Sequence, residues 1–261
     1  MSFSIGDLVT RNSYHNDTVF EIMNIVGDVA YLQGYNIRLE ADSKISDLSK
    51  ADPSLFKDDD KELKRGVHNL LHLNRDEYFY LPGKVLHIDG DDRYLSRCLS
   101  FYEEMNVRAF GIKLKEEDIS KEIGKYLEDL KPDIVVITGH DAYYKNKGSK
   151  DNINNYKNSQ NFVNAIEEVR KYEKSQDKLV VIAGACQSDY EELIKAGANF
   201  ASSPKRINIH ALDPAIIAVS TALSERNKTI NLIEILEKTK FGSDGIGGIL
   251  TNGTMYVGYP R

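Results

Sequence analysis

Apolar and polar positions follow two different rhythms along this chain. Residues 3 to 42 hold short β-rich runs, IGDLVTR, TVFEIMNIV, VAYLQGY and NIRLE, separated by turn signals such as Gly27-Asp28. Short strands at that spacing predict a small twisted β-barrel, SH3-like, over residues 1–45. From 46 to 80 the pattern turns charge-dense and poor in β-branched residues, which predicts a helical or mobile connector. Its run Asp58-Asp59-Asp60 reads as a solvated helix start, since three adjacent side chains on a helix point in different directions.

After Pro82 the rhythm becomes regular. Apolar strands are expected at 84–88, 108–114, 133–138, 178–184 and 199–203, and amphipathic helices at 91–105, 116–130, 159–174, 188–197 and 213–225. Strands alternating with helices of this length predict an α/β fold, with a mainly parallel sheet covered on both faces, over residues 81–261. The uninterrupted runs VVIT and LVVIA agree, because a strand covered on both sides needs apolar side chains on both sides. The C-terminal stretch reads as one more helix followed by a hairpin turning at Asn252-Gly253.

Composition narrows the function classes. The first residues lack a basic start followed by an apolar run, and no stretch approaches eighteen apolar residues, so neither export nor membrane association is expected. Two cysteines, Cys98 and Cys186, cannot staple a chain of 261 residues, which points to a reducing compartment. A net charge of −6 disfavours nucleic acid as a partner, and residues 1–45 carry three Lys/Arg against six Asp/Glu. No cofactor or metal is expected. The spacing of Gly242, Gly245, Gly247 and Gly248 does not fit a dinucleotide fingerprint, and no grouping of His, Cys and acids suggests zinc.

Reactive side chains stand at two strand ends. DIVVITGHDAY places His140 just beyond one apolar strand, and KLVVIAGACQS places Cys186 just beyond the next. Ligand sites in open parallel sheets lie beyond the carboxyl ends of the strands. If these two strands are neighbours, a thiol nucleophile and a proton carrier flank one reacting group. A helix starting near Ser188 would favour the thiolate. His87 within a strand and Cys98 within a helix read as core.

The paired strand ends resemble the caspase, gingipain and clostripain clan, in which one apolar strand ends at the catalytic His and a later one at the catalytic Cys. Nearly the whole chain further resembles the YabG family of sporulation-specific proteases from endospore-forming bacteria, through IGDLVTR, PGKVLHIDGD, PDIVVITGHDAY, AGACQS, AGANFASSP and NIHALDP. The resemblance implies a caspase-like αβα sandwich and a cysteine endopeptidase cleaving after arginine. It also implies partners among proteins of the spore coat and the cortex-lytic machinery, in the cytoplasm of the sporulating mother cell or on the coat. It carries over Cys186 as nucleophile and oxyanion donor and His140 as base, with a second oxyanion amide at Gly139 or Asp141. The clan usually has Gly directly after its His, whereas here Gly139 precedes and Asp141 follows.

Arginine specificity requires a carboxylate able to accept a guanidinium fork. Asp89 is the first candidate and Asp91 the second, in the loop after the first strand, where clan members with basic specificity place an acid. Helix capping is the competing explanation for these residues. Ser202 and Ser203 end a later strand, where the clan pairs substrate backbone. Two other readings stay open: a cysteine amidohydrolase of glutamine-amidotransferase type, with His210 as the partner of Cys186, and a non-enzymatic spore coat binding protein. Asp213, beside His210, reads as a helix cap.

Overall fold

The computed structural model describes residues 3–35, 39–52 and 78–258. The chain forms two compact units, Met1–Arg75 and Asp76–Arg261. Most of the charged connector, with Asp58, Asp59 and Asp60, lies outside the described residues.

The first unit is an antiparallel sheet of β1 (Leu8–Arg11), β2 (Phe20–Val26), β3 (Val29–Gly34), β4 (Glu40–Lys44) and β5 (Leu48–Lys50), in the order β4-β3-β2-β1-β5. Alternation along the strands gathers Val9, Phe20, Ile22, Ala30, Leu32 and Leu48 into one buried cluster. The predicted closure into an SH3-like barrel is not observed, because edge strands β4 and β5 do not pair with each other. A three-residue 3-10 turn, Ile45–Asp47, carries the chain from one edge to the other, and Ser13 holds the Asp47 carboxylate there. So short a link makes the sheet curl, while helical backbone at the seam removes the ladder that closure needs.

The second unit opens with β6 (Phe79–Leu81), which pairs antiparallel with β13 (Tyr256–Gly258). Its main sheet contains β7 (Val85–Asp89), β8 (Ala109–Lys113), β9 (Ile134–Thr138), β10 (Val180–Ala183), β11 (Phe200–Ser202) and β12 (Ile246–Gly248). The order is β12-β11-β10-β9-β7-β8, parallel throughout except for β12. Helices α2 (Glu116–Leu130), α3 (Ser159–Tyr172) and α4 (Tyr190–Lys195) cover one face, where Ile119, Ile123 and Leu127 meet Leu86, Ile88 and Val135. Helices α1 (Asp92–Glu104), α5 (Asp213–Ala222) and α6 (Leu232–Glu237) cover the other, around Val85, Val136, Ile182 and Phe200. Odd and even residues of β7 therefore serve opposite layers, which is why its run is apolar without alternation. Each such Ile or Leu contributes about 1.5–3 kcal/mol by leaving water.

The C-terminal hairpin is corrected. Strands β12 and β13 belong to different sheets, and Gly253 does not adopt the positive φ that a type I′ turn requires. Its glycine has another cause: a Cβ there would overlap the Ser224 carbonyl, and the Gly253 amide donates to Lys228 O at 3.0 Å.

The connections place a reversal between two strands. From β7 the chain steps outward to β8, then returns to the other side of β7 to form β9 and continues to β10 and β11. Crevices in parallel sheets open at such reversals, beyond the carboxyl ends of the diverging strands.

Candidate active site

A cavity of about 300 Å³ opens at that reversal, and its lining includes Asp89, Thr138, His140, Cys186, Ile209 and His210. His140 and Cys186 each follow a parallel strand by two or three residues, and β9 and β10 are hydrogen-bonded neighbours, with Ile137 opposite Ala183. The condition set by the sequence is thus met: both side chains rise from adjacent strand ends onto one cavity.

His140 is held from two sides. Its backbone amide donates to Glu116 Oε1 at 2.8 Å, and its Nε2 lies 3.1 Å from Asp91 Oδ2. A Cβ at Gly139 would overlap the Glu116 carboxyl group, so a larger residue there would push aside the partner of the His140 amide. Asp91 uses its other oxygen to cap α1, accepting from the amides of Arg93 at 2.8 Å and Tyr94 at 3.2 Å. The His140 hydrogen bond, followed by the Tyr94 amide, holds the Asp91 carboxyl below its ordinary 3.8. An ionised carboxylate only accepts, so the His140 proton sits on Nε2 and Nδ1 is left as the basic nitrogen.

Cys186 is partly exposed, with its sulfur against one backbone segment. The Ile209 amide donates to Sγ at 3.4 Å, and the Ile209 carbonyl lies 3.8 Å away. Gln187, directly after it, takes a left-handed φ of 60°, and its amide bonds to Ile207 O at 3.0 Å and Ser203 Oγ at 2.9 Å. Helix α4 begins only at Tyr190 and runs six residues. The expected helix start at Ser188 is therefore corrected, and the Ile209 amide supplies the hydrogen bond at sulfur instead.

Asp141, next to His140, is buried and accepts four hydrogen bonds. Ala142 N and Asn158 N reach Oδ1 at 2.8 and 2.7 Å, and Ser159 Oγ and Ser188 Oγ reach Oδ2 at 2.5 and 2.9 Å. Ser188 in turn accepts from the Ala185 amide at 2.9 Å. This carboxylate ties the His140 loop to the Cys186 loop, and four donors offset the cost of burying its charge.

Asp89 is buried at the foot of the cavity, accepting from Thr138 Oγ1 at 2.7 Å and from the Asp91 amide at 2.7 Å. Asp91 is committed to the α1 cap and to His140. His210 shares the cavity wall; its Nδ1 accepts from Leu212 N at 3.3 Å, and its amide donates to Asp213 Oδ2 at 2.9 Å. Asp213 is buried near the start of α5. Ser202 and Ser203 do not reach the cavity. Both are buried, and the free side of β11 is taken by β12, with Ser202 opposite Ile246 and Ser203 N on Gly245 O at 2.7 Å. Sequence reasoning missed Tyr94, Arg97, Ile209 and Pro214 on the cavity wall. Tyr94 and Arg97 share one side of α1 and were legible as such; Ile209 has no signature, because its contribution is main chain.

Beside the Cys186 loop, Arg206 joins Asp189 Oδ1 at 3.1 Å, Glu191, and Tyr156 Oη at 2.5 Å. Burial outweighs the attraction of Arg206 and pushes the Asp189 carboxyl up to about 6, and its Oδ2 has no partner. An acid whose folded pKa is raised keeps its proton while the unfolded chain, at the ordinary 3.8, has lost it. Stability from this group is thus complete below about pH 4 and falls as pH rises to about 6, by at most about 3 kcal/mol. Denaturant unfolding of the wild type and Asp189→Asn at pH 4 to 7 is expected to show the wild type losing ground to the variant across that window. Parallel curves would refute the assignment.

Comparison with known proteins gives concordant matches. Residues 4–260 match the family model described as YabG peptidase U57. The chain is 42% identical to the sporulation-specific protease YabG of Bacillus subtilis strain 168, in an alignment covering 100% of this chain and 99% of that protein. Matches of that extent, spanning both units and the cavity between the strand ends of β7, β9 and β10, show that the chain belongs to the YabG peptidase family.

Proposed function

We propose that this peptidase is a cysteine endopeptidase of sporulation, with a caspase-like αβα domain, that cleaves after arginine in proteins of the spore coat and the cortex-lytic machinery. The observation that carries the reading is the meeting of Cys186, His140 and Asp89 on one cavity beyond adjacent strands. Cys186 Sγ attacks the scissile carbonyl carbon, and the Ile209 amide offers it a hydrogen bond that a thiolate accepts more strongly than a thiol. His140 Nδ1 takes the thiol proton and returns it to the leaving amine, while Asp91 fixes the ring and supports the imidazolium. The Cys186 amide is one oxyanion donor. The His140 amide is committed to Glu116, which leaves the flanking amides of Gly139 and Asp141 as candidates for the second. Cutting a peptide library and reading the new termini by mass spectrometry tests the reaction and its specificity together; cuts without arginine before the bond would remove the specificity.

Asp89 is the acceptor for the substrate guanidinium. Each of its oxygens receives one hydrogen bond, and an ionised carboxylate has lone pairs for two more. Asp89→Asn keeps the shape and removes the charge. Efficiency toward arginine peptides is expected to fall about 30-fold to several thousand-fold, as for a buried charge pair worth about 2–5 kcal/mol, while matched neutral peptides change far less. Equal losses on both peptides would reduce Asp89 to a structural role, and a selective loss only in Asp91→Asn would move the pocket there.

One observation favours a second reading. His210 shares the cavity with Cys186, as an amidohydrolase partner would. That class favours glycine two residues after the nucleophile, where this chain has Ser188, bonded to Asp141.

A further inference from the structure

We propose that His87, which is not part of the cavity lining, is a positioning residue for arginine specificity: through Thr138 it aims and fixes the Asp89 carboxylate. The inference rests on Asp89 as the guanidinium acceptor. His87 lies in the middle of β7 with no solvent exposure. Its Nδ1 is 2.9 Å from Tyr102 Oη on α1, and its Nε2 is 2.9 Å from Thr138 Oγ1 on β9. Thr138 Oγ1 is in turn 2.7 Å from Asp89 Oδ2, which also lies 3.7 Å from His87 Nε2.

The direction of this chain of bonds follows from its end. An ionised Asp89 can only accept, so the Thr138 hydrogen is spent on Oδ2. The Thr138 oxygen must then accept, which places the His87 proton on Nε2 and leaves Nδ1 to accept from Tyr102. Burial pushes the Tyr102 hydroxyl well above its ordinary 10, so it stays a donor. Every donor from α1 to the cavity therefore points the same way, toward Asp89. An apolar residue would fill the His87 site in a core of this kind without the cost of burying two ring nitrogens. What the imidazole adds is a fixed donor on Thr138, and through it a fixed carboxylate rotamer at the cavity. The Asp91 amide, 2.7 Å from Asp89 Oδ1, holds the other oxygen from the opposite side. The chain links three elements, β7, β9 and α1, so the carboxylate is aimed by the sheet and not by a loop.

The test compares kcat/KM on matched arginine and neutral peptides for wild type, His87→Met, His87→Gln, Tyr102→Phe and Asp89→Asn. His87→Met fills the space without a donor; His87→Gln restores a donor near the Nε2 position. The expected result is an arginine-specific loss of about 10- to 100-fold in His87→Met, the scale of a misplacement of about 1 Å. Neutral peptides are expected to stay within about twofold, and His87→Gln to recover most of the loss. Tyr102→Phe, which removes one hydroxyl and keeps the ring packed, is expected to show a smaller loss in the same direction even if His87→Met does not fold. Equal losses on both peptides, or no recovery in His87→Gln, would overturn the inference and leave His87 as a packing residue. An arginine preference lost in Asp89→Asn but kept in the His87 and Tyr102 variants would overturn the relay alone. A wild type with no arginine preference would overturn both this inference and the reading it rests on.

Discussion

Cys186→Ala is expected to abolish peptide cleavage while leaving the protein folded. Thr138, also on the cavity wall, spends its hydroxyl on Asp89, and Cys98, which is not part of the lining, is buried, donates to Ala211 O at 3.4 Å, and has its thiol pushed up to about 12 by burial. Without sulfur the covalent intermediate cannot form, and His140 has no proton to take. Stability is expected to change little, because Cys186 is partly exposed and the hydrogen bonds of its sulfur among the described residues are to the Ile209 backbone. The loss of these two weak bonds costs about 1 kcal/mol. Circular dichroism and thermal melting check the fold, and mass spectrometry of a cleaved peptide checks the chemistry. A Cys186→Ala protein that still cuts would end the assignment of a cysteine peptidase.

His140→Ala is expected to lower turnover by about 10²- to 10⁴-fold, the usual worth of a general acid and base, with KM little changed. The separation of kcat from KM follows from position: the imidazole is half exposed at the rim, packed near the Tyr94 ring at 5.8 Å, whereas the proposed specificity group, Asp89, sits at the foot. The truncation also spares the scaffold. Glu116 still receives the residue 140 amide, and Asp91 still caps α1 through its other oxygen. His210→Ala is the companion measurement. Full turnover in His140→Ala together with loss in His210→Ala would transfer the role to His210 and bring the amidohydrolase reading forward.

Much of the second unit was legible in sequence because doubly covered strands leave a blunt signal. VLHID, IVVIT and VVIA are buried throughout, so their runs and the flanking helices could be read within a few residues. Strands β12 and β13 were not, since three-residue edge strands containing glycine have little side-chain pattern, and the local Asn-Gly signal outweighed the distant contacts that Gly253 makes. Three strands of the curled N-terminal sheet lie in the runs expected, but β4 begins only at the last residue of NIRLE and β5 falls inside the stretch expected as connector, and closure depends on pairing between the edges, which no alternation encodes. The convergence of Cys186 and His140 on one cavity was legible because each follows an apolar run. The different surroundings of Asp89 and Asp91 were not, because the two lie two residues apart at the end of one strand and only geometry separates a buried carboxylate from a helix cap. That Ser202 and Ser203 lie on a covered strand was not legible for a related reason: the partner that covers it lies more than forty residues downstream.

Asp141 has one consequence that concerns time and not geometry. Its bond to Ser188 spans 47 residues, and the chain between them must complete α3 and lay β10 beside β9 before the two can meet. Closing so long an excursion comes late in folding, because its entropic cost precedes its contacts. Until they meet, Asp141 and Ser188, and with them the loops that carry His140 and Cys186, stand on segments not yet joined.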